Sequence, residues 1–203
     1  GENLREDNWR VAACVKHFAA YGGALAGRDY NTVDMSERQL REMYLPGYKA
    51  GLDAGAKLVM TSFNTVDGIP ATGNQWLFRD VLRNEFGFEG VVISDWGAIK
   101  ELIPHGVAKD EKQAAELAIK AGVDIEMMTT CYPDYLKELL EEGRIAETLI
   151  DEAVMRILKL KNELGLFENP YRGADEQAEA EVILSKEHRE IAKKIAQKSM
   201  VLL

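Results

Sequence analysis

Short apolar runs alternate with amphipathic stretches along most of the chain. Four runs are rich in apolar and β-branched residues: 11–18, 57–63, 90–96 and 122–128. Each has a length typical of a buried parallel strand. Between and after them, apolar residues recur every three or four positions, which predicts helices. The predicted helices span about 36–55, 74–86, 111–121, 135–142 and 146–164. A polar stretch at 169–181 predicts a linker, and a last helix is predicted from Ser185 to about Lys198.

Capping residues support several of these helix boundaries. Ser36 is a favoured N-cap at the start of the first helix. Gly87, Gly122 and Gly165 each follow a predicted helix and favour the left-handed conformation that ends one. Strand, loop and helix therefore alternate, which is typical of an α/β fold around a parallel sheet. Four strands fit either a small doubly wound sheet or half of a (β/α)8 barrel.

Missing phosphate-binding motifs favour the barrel. No G-x-G-x-x-G follows a predicted strand, and no G-x-x-x-x-G-K-[ST] occurs. The chain has 34 acidic against 25 basic residues and a formal charge of −9, which argues against nucleic acid or an anionic membrane as partner. No apolar stretch is long enough for a transmembrane helix. Cys14 and Cys131 lack zinc-site spacing, so we expect no metal and no cofactor.

Polar or aromatic side chains follow the ends of three predicted strands. They are Lys16 with His17, Phe63 with Asn64, and Asp95 with Trp96. Functional residues of a barrel gather where its strands end. An aspartate after a strand is also a common turn residue. In this position, however, Asp95 stands beside a flat aromatic ring, and a carboxylate next to an apolar face suits a sugar.

A retaining glycosidase needs a second carboxyl group about 5 Å from its nucleophile. Spacing singles out none of the candidates, which are Asp29, Asp34, Asp124 and Glu126. The three histidines form no Ser-His-Asp arrangement and no H-E-x-x-H motif, which disfavours serine hydrolases and zinc proteases.

Nine segments resemble the family 3 glycoside hydrolases, in particular their bacterial β-glucosidases. They are 16–22 (KHFAAYG), 27–31 (GRDYN), 44–46 (YLP), 60–64 (MTSFN), 68–72 (GIPAT), 94–96 (SDW), 105–106 (HG), 121–124 (AGVD) and 165–167 (GLF). The resemblance implies that Asp95 is the catalytic nucleophile. It also implies that Lys16 and His17 bind sugar hydroxyls. The wall around that sugar is then formed by Met60, Phe63 and Trp96.

The chain departs from the family pattern at Phe63 and in the parts of the fold that it contains. Many relatives have a tyrosine at the position of Phe63, and its hydroxyl reaches the nucleophile. Family members also have earlier barrel strands, with an Asp and an Arg for the same sugar, and a second α/β domain with the acid/base glutamate. The chain is therefore expected to start mid-barrel at Gly1 and to stop at the apolar run 200–203. The β-N-acetylhexosaminidase branch is disfavoured, because 19–22 lacks its second histidine.

The expected architecture is α/β, with residues 1–168 as the C-terminal half of a (β/α)8 TIM-type barrel. Residues 169–203 are expected to form a linker and terminal helix leading toward a missing second domain. The expected activity is retaining, exo-acting hydrolysis of terminal non-reducing β-D-glucosyl residues through a covalent glycosyl-enzyme. A β-xylosidase and a noncatalytic half-barrel are the alternatives. The expected partners are a small carbohydrate and the rest of the same enzyme. The expected compartment is bacterial and is either periplasmic or secreted, or cytoplasmic; the sequence does not distinguish these.

Overall fold

The computed structural model describes residues 4–6 and 10–202. The chain divides into two compact units, Gly1–Glu168 and Asn169–Leu203. The described strands all lie in the first unit: β1 (Cys14–Phe18), β2 (Thr32–Val33), β3 (Leu58–Thr61), β4 (Thr65–Val66), β5 (Ile69–Pro70) and β6 (Val91–Ile93). Gly1 and Leu203, which the sequence places at the two expected breaks of the fold, lie outside the described residues.

A parallel sheet of β1, β3 and β6, in that order, is the centre of the first unit. Val59 of β3 pairs with Val15 on one side and Val92 on the other. Ile125 adds an isolated parallel bridge to Ile93. A smaller sheet has β2 parallel to β4 and β4 antiparallel to β5. The predicted α/β class with a parallel sheet is therefore confirmed.

Helices follow the strands along the chain. In the first unit they are α1 (Glu37–Gln39), which continues through a π-helical turn (Leu40–Tyr44) into α2 (Leu45–Asp53), a second π-helical segment (Trp76–Glu85), α3 (Glu111–Ala121), α4 (Cys131–Glu141) and α5 (Glu147–Glu163). The second unit holds α6 (Glu176–Val182) and α7 (Lys186–Ser199). Ser36 caps the first helix as predicted, since its hydroxyl accepts a hydrogen bond from the Gln39 amide at 3.2 Å.

The prediction of a fourth strand at 122–128 is wrong. Residues 122–128 run beside β6, but two amides, those of Asp124 and Ile125, donate to the same Val92 carbonyl. The amide of Met127 donates to the Ser94 hydroxyl instead of to a carbonyl. A regular ladder cannot form when side chains and shared acceptors take its donors. This segment therefore contributes only the bridge at Ile125.

Two other boundaries differ from prediction because a cap was overlooked. Helix α4 begins at Cys131 rather than Tyr135, since the Glu126 carboxylate accepts from the amides of Cys131 and Tyr132 at 2.9 and 2.7 Å. The predicted linker contains α6, which Asp175 caps. The predicted strand-like end has no regular structure at 200–202.

The hydrophobic core lies between the parallel sheet and the helices that follow its strands. Its largest fully buried side chains include Phe18 of β1, Val59 of β3 and Phe78 of the second π-helical segment. The Phe18 and Phe78 rings lie 5.6 Å apart. Because this core packs against the sheet, the ends of β1, β3 and β6 are held in fixed positions. No helix in the described part of the chain has the length and apolarity that a membrane crossing requires.

Candidate active site

The Asp95 side chain lies just beyond the end of β6 and is 12 % exposed. Its Oδ1 accepts a hydrogen bond from the Trp96 amide at 2.6 Å. Its Oδ2 lies 3.3 Å from Nε2 of His17, which is part of β1. The ends of β1 and β6, which lie on either side of β3, therefore orient the carboxylate while leaving part of it exposed.

Buried hydroxyl groups hold the backbone around Asp95. The Asp95 amide donates to Oγ1 of Thr61 in β3 at 3.2 Å. The Thr61 hydroxyl also shares a hydrogen bond of 2.9 Å with the hydroxyl of Thr72. On the other side, the Ser94 hydroxyl donates to the Asp95 carbonyl at 3.0 Å and accepts from the Met127 amide at 2.8 Å. The carboxylate thus stands on a backbone fixed by three separate segments.

His17 lies beside Asp95 as an uncharged hydrogen-bonding group at neutral pH. Burial lowers its pKa, and the charge of Lys16 lowers it further, while Asp95 and Asp29 act in the opposite direction. The Tyr48 hydroxyl donates to the His17 carbonyl at 2.5 Å. This bond connects α2 to the end of β1 and fixes the backbone that carries the histidine.

A series of aromatic rings begins at His17. The Tyr21 ring lies 4.7 Å from the imidazole and 6.2 Å from the Phe63 ring. The Tyr30 ring lies 4.3 Å from Phe63. Phe63 is buried, while Tyr30 is 46 % exposed. The three aromatic side chains therefore pack next to His17, the residue that lies beside Asp95.

The other predicted site residues lie at the same strand ends. Met60 of β3 pairs with Ile93, two positions before Asp95. Trp96 is joined to Asp95 through its amide, and its side chain is largely exposed. Lys16 is exposed and close enough to affect the pKa of His17. The sheet therefore brings the predicted residues to one edge.

Two of the four candidates for the second carboxyl group are occupied elsewhere. Asp124 is buried, with Arg83 and Arg156 each 2.9 Å from one of its oxygens. Glu126 caps α4. The other two, Asp29 and Asp34, are exposed.

Sequence reasoning overlooked Thr61, Tyr30 and Glu101. Burial raises the pKa of Glu101, and the charges of Asp95 and Asp29 raise it further. Its position in the turn after 94–96 was the available signal, because residues that follow a barrel strand line the site. Among residues 4–6 and 10–202, no cluster of His, Cys, Asp and Glu could hold a metal ion.

Comparison with known proteins determines the family. Residues 2–160 match the family described as "Glycosyl hydrolase family 3 N terminal domain". The chain belongs to glycosyl hydrolase family 3. The predicted resemblance is thereby confirmed for most of the chain.

Several family 3 enzymes are close relatives in sequence or structure. A "Periplasmic beta-glucosidase" of Salmonella typhimurium is 46% identical over 97% of the chain and 26% of its own length. A "Beta-xylosidase" of Formosa agariphila is 36% identical over 100% of the chain and 29% of its length. The β-glucosidase of Listeria innocua, solved with glucose, is 59% identical with a TM-score of 0.90. A mutant of it, solved with laminaribiose, is 58% identical with a TM-score of 0.91.

The chain matches only part of these family 3 proteins. Both Listeria structures cover 99% of the chain, but the chain covers 28% of theirs. The chain thus spans between 26% and 29% of the length of these relatives.

Proposed function

We propose that this chain is the nucleophile-bearing part of a retaining β-glycosidase. The enzyme would remove terminal non-reducing β-D-glucosyl residues through a covalent glycosyl-enzyme. One observation carries the proposal: the Asp95 carboxylate stands at the end of β6 with one oxygen held by the Trp96 amide and the other beside His17. Family membership and the β-glucosidase relatives support the same activity.

In the proposed first step, an oxygen of Asp95 attacks the anomeric carbon while the bond to the leaving group breaks. The uncharged His17 would donate a hydrogen bond from Nε2 to Oδ2 of Asp95 without neutralising the carboxylate. Lys16 and His17 would bind sugar hydroxyls, since both supply hydrogen-bonding groups at the strand end. Met60, Phe63 and Trp96 would pack against the apolar faces of the ring. Phe63 has no hydroxyl for Asp95.

The leaving oxygen must gain a proton, and water must later be deprotonated to release the sugar. Asp124 and Glu126 are unsuited to this role because their oxygens are held by arginines or helix amides. We propose that a glutamate of a second α/β domain supplies the proton, as the family resemblance implies.

The strand order supports the proposed half-barrel. The order β1, β3, β6 and then Ile125 follows the chain sequence without reversal, and every pairing is parallel. A (β/α)8 barrel requires this order, whereas a doubly wound sheet reverses its order at a switch point. We propose that 1–168 is the C-terminal half of such a barrel. Residues 169–203 would connect it to the second domain.

Trapping the glycosyl-enzyme tests the proposed nucleophile. The complete enzyme is treated with an activated 2-deoxy-2-fluoro-β-glucoside and digested, and the labelled peptide is identified by mass spectrometry. We expect the label on Asp95. Replacement Asp95→Asn should lower kcat by roughly 10⁴-fold, because the variant cannot form the intermediate. Labelling of another residue would overturn the assignment.

Substrate preference separates the alternatives. One relative, from Formosa, is named a β-xylosidase. We therefore compare kcat/KM on nitrophenyl β-glucoside with kcat/KM on nitrophenyl β-xyloside. We expect the glucoside to be preferred. The 203-residue chain can also be assayed alone on nitrophenyl glucoside, whose leaving group needs little acid assistance. Slow turnover of this glucoside, but not of laminaribiose, would indicate a nucleophile without its acid. Absence of labelling and turnover in the complete enzyme would support the noncatalytic alternative.

A further inference from the structure

Strand β1 is irregular at the two residues that precede its end. Lys16 and His17 of β1 lie opposite a single residue of β3, Met60, before the pairing resumes at Phe18. An extra residue in one strand interrupts the ladder of backbone hydrogen bonds, and such irregularities re-aim side chains near active sites. Backbone groups that lose their ladder partners need other ones, because buried backbone groups are almost always paired.

Side chains supply these partners around the irregular part of β1. The Tyr48 hydroxyl of α2 donates to the His17 carbonyl at 2.5 Å. Ser62 and Asn64 donate to the Ala19 carbonyl, each at 3.2 Å. Tyr48 therefore holds the residue that carries the imidazole, whereas the other two donors act two residues further along the chain.

Tyr48 is itself held by the core. Its ring is half-buried and meets the Phe18 ring edge-on, with the two centroids 5.1 Å apart. Burial raises the pKa of Tyr48, while backbone groups of Ala20 and Tyr21 act in the opposite direction. The hydroxyl consequently keeps its proton at neutral pH and is available to donate to His17. Because a close-packed ring has little room to move, Tyr48 provides a fixed anchor for the end of β1.

The contact between His17 and Asp95 tolerates little displacement. Nε2 of His17 lies 3.3 Å from Oδ2 of Asp95, which is near the upper limit for an N–H···O hydrogen bond. A shift of the His17 backbone by about 0.3 Å would take the two atoms beyond hydrogen-bonding distance. The group that fixes this backbone therefore decides whether the imidazole can donate to the carboxylate.

We propose that Tyr48 is a positioning residue, whose hydroxyl acts through the His17 carbonyl to hold the imidazole at Asp95 in the geometry that attack on the sugar requires. The inference rests on the proposed function, because Asp95 is the reacting group of that function. Tyr48 belongs to a helix that follows β1, and its effect on the reaction is transmitted by one backbone carbonyl.

A pair of matched substitutions separates positioning from general support of the fold. Tyr48→Phe removes one hydroxyl that donates to a backbone carbonyl. Tyr132→Phe removes another, which donates to the Val123 carbonyl at 2.8 Å. Circular dichroism of the complete enzyme establishes that both variants are folded. On nitrophenyl β-glucoside, we expect Tyr48→Phe to lower kcat/KM about tenfold, mainly through kcat, as the loss of one hydrogen bond to the reacting assembly allows. Tyr132→Phe should retain the wild-type value.

A double-mutant cycle with His17→Ala tests the route by which Tyr48 acts. If the hydroxyl works by holding the imidazole, it has nothing to hold once the imidazole is gone. In the His17→Ala enzyme, we therefore expect Tyr48→Phe to lower kcat/KM by less than about twofold, because coupled residues have non-additive effects. The same tenfold loss in both backgrounds would overturn the proposal, and so would a loss confined to KM.

The failure of this positioning role is distinguishable from the failure of the proposed function. A wild-type enzyme that the fluoroglucoside does not label at Asp95 would refute the proposed function. Labelling at Asp95 in the wild type, combined with equal kcat/KM in Tyr48→Phe and Tyr132→Phe, would refute the positioning role alone.

Discussion

Two apolar runs of this chain lead to buried aspartates, and the structure uses these aspartates in opposite ways. Asp95, after β6, has an uncharged His17 beside one oxygen. Asp124, in the neighbouring run, has Arg83 and Arg156 each 2.9 Å from its oxygens, and its side chain is 1% exposed. The first carboxylate is accessible to a substrate, and the second is not.

The difference comes from which cations reach each carboxylate, not from the strands. Burial lowers the pKa of Arg83 to about 10, and this arginine is still charged at neutral pH. The Val92 amide of β6 also donates a hydrogen bond to Oδ2 of Asp124 at 2.8 Å. This bond connects Asp124 to β6. A carboxylate with this many fixed partners cannot rearrange to attack a carbon atom. It stabilises the sheet edge on which Asp95 stands.

Replacement Asp124→Asn should therefore affect folding far more than chemistry. It leaves the buried positive charge of Arg83 without its carboxylate partner, whereas Arg156 keeps Glu152 at 3.2 Å. Loss of one member of a buried ion pair costs about 3–5 kcal/mol in the free energy of unfolding. Urea denaturation of the complete protein, followed by circular dichroism, measures this change.

The matched control is Asp95→Asn. It should change the free energy of unfolding by less than about 1 kcal/mol, because no cation loses its partner, while abolishing labelling by the fluoroglucoside. If Asp124→Asn were as stable as the wild type, or if Asp95→Asn unfolded to the same extent, the assigned roles of the two carboxylates would be wrong.

The features that could be predicted from the sequence are those that a local residue pattern determines. Asp95 and His17 were predicted as site residues because each lies at the end of an apolar run. The sheet places both at one edge. Ser36 and Gly122 act as helix caps through bonds within a few residues. These features depend on neighbours in the chain, so one sequence is sufficient to predict them.

Long-range contacts were beyond sequence reasoning. Arg83 and Arg156 lie 41 and 32 positions from Asp124, and no local pattern shows that they meet. The contact between Tyr30 and Phe63 also joins residues far apart in the chain and could not be predicted for the same reason. Glu126 caps a helix five residues away instead of three, so α4 was predicted to begin too late. Whether a carboxylate is catalytic or structural depends on such contacts.

A smaller effect is expected at Thr61, which positions Asp95. Thr61→Val keeps the side-chain shape but leaves the buried Asp95 amide without its acceptor, which costs about 1–3 kcal/mol. Because the amide belongs to the proposed nucleophile, we expect part of this cost in the transition state. The predicted result is a fall in kcat of about tenfold with little change in KM, measured on nitrophenyl glucoside.

Thr61→Ser is the matched control, because it restores the hydroxyl and should recover most of kcat. Thr72→Val removes the outer hydroxyl of the pair and should have a smaller effect than Thr61→Val. A loss of stability in Thr61→Val with unchanged kcat would show that Thr61 supports the fold without positioning the nucleophile.

The smallest expected effect is the pH dependence contributed by His17. Its pKa is lowered in the folded protein, first by burial and then by Lys16, so below its ordinary pKa of about 6.5 the unfolded chain binds more protons. The stability that His17 contributes is therefore present above about pH 6.5 and is lost as the pH falls through the folded pKa. In His17→Asn the midpoint of thermal unfolding should fall less steeply between pH 7 and pH 5 than in the wild type. His188→Asn, which removes an exposed histidine of α7, should keep the wild-type slope. If His17→Asn also kept that slope, His17 would not be the uncharged neighbour that distinguishes Asp95 from Asp124.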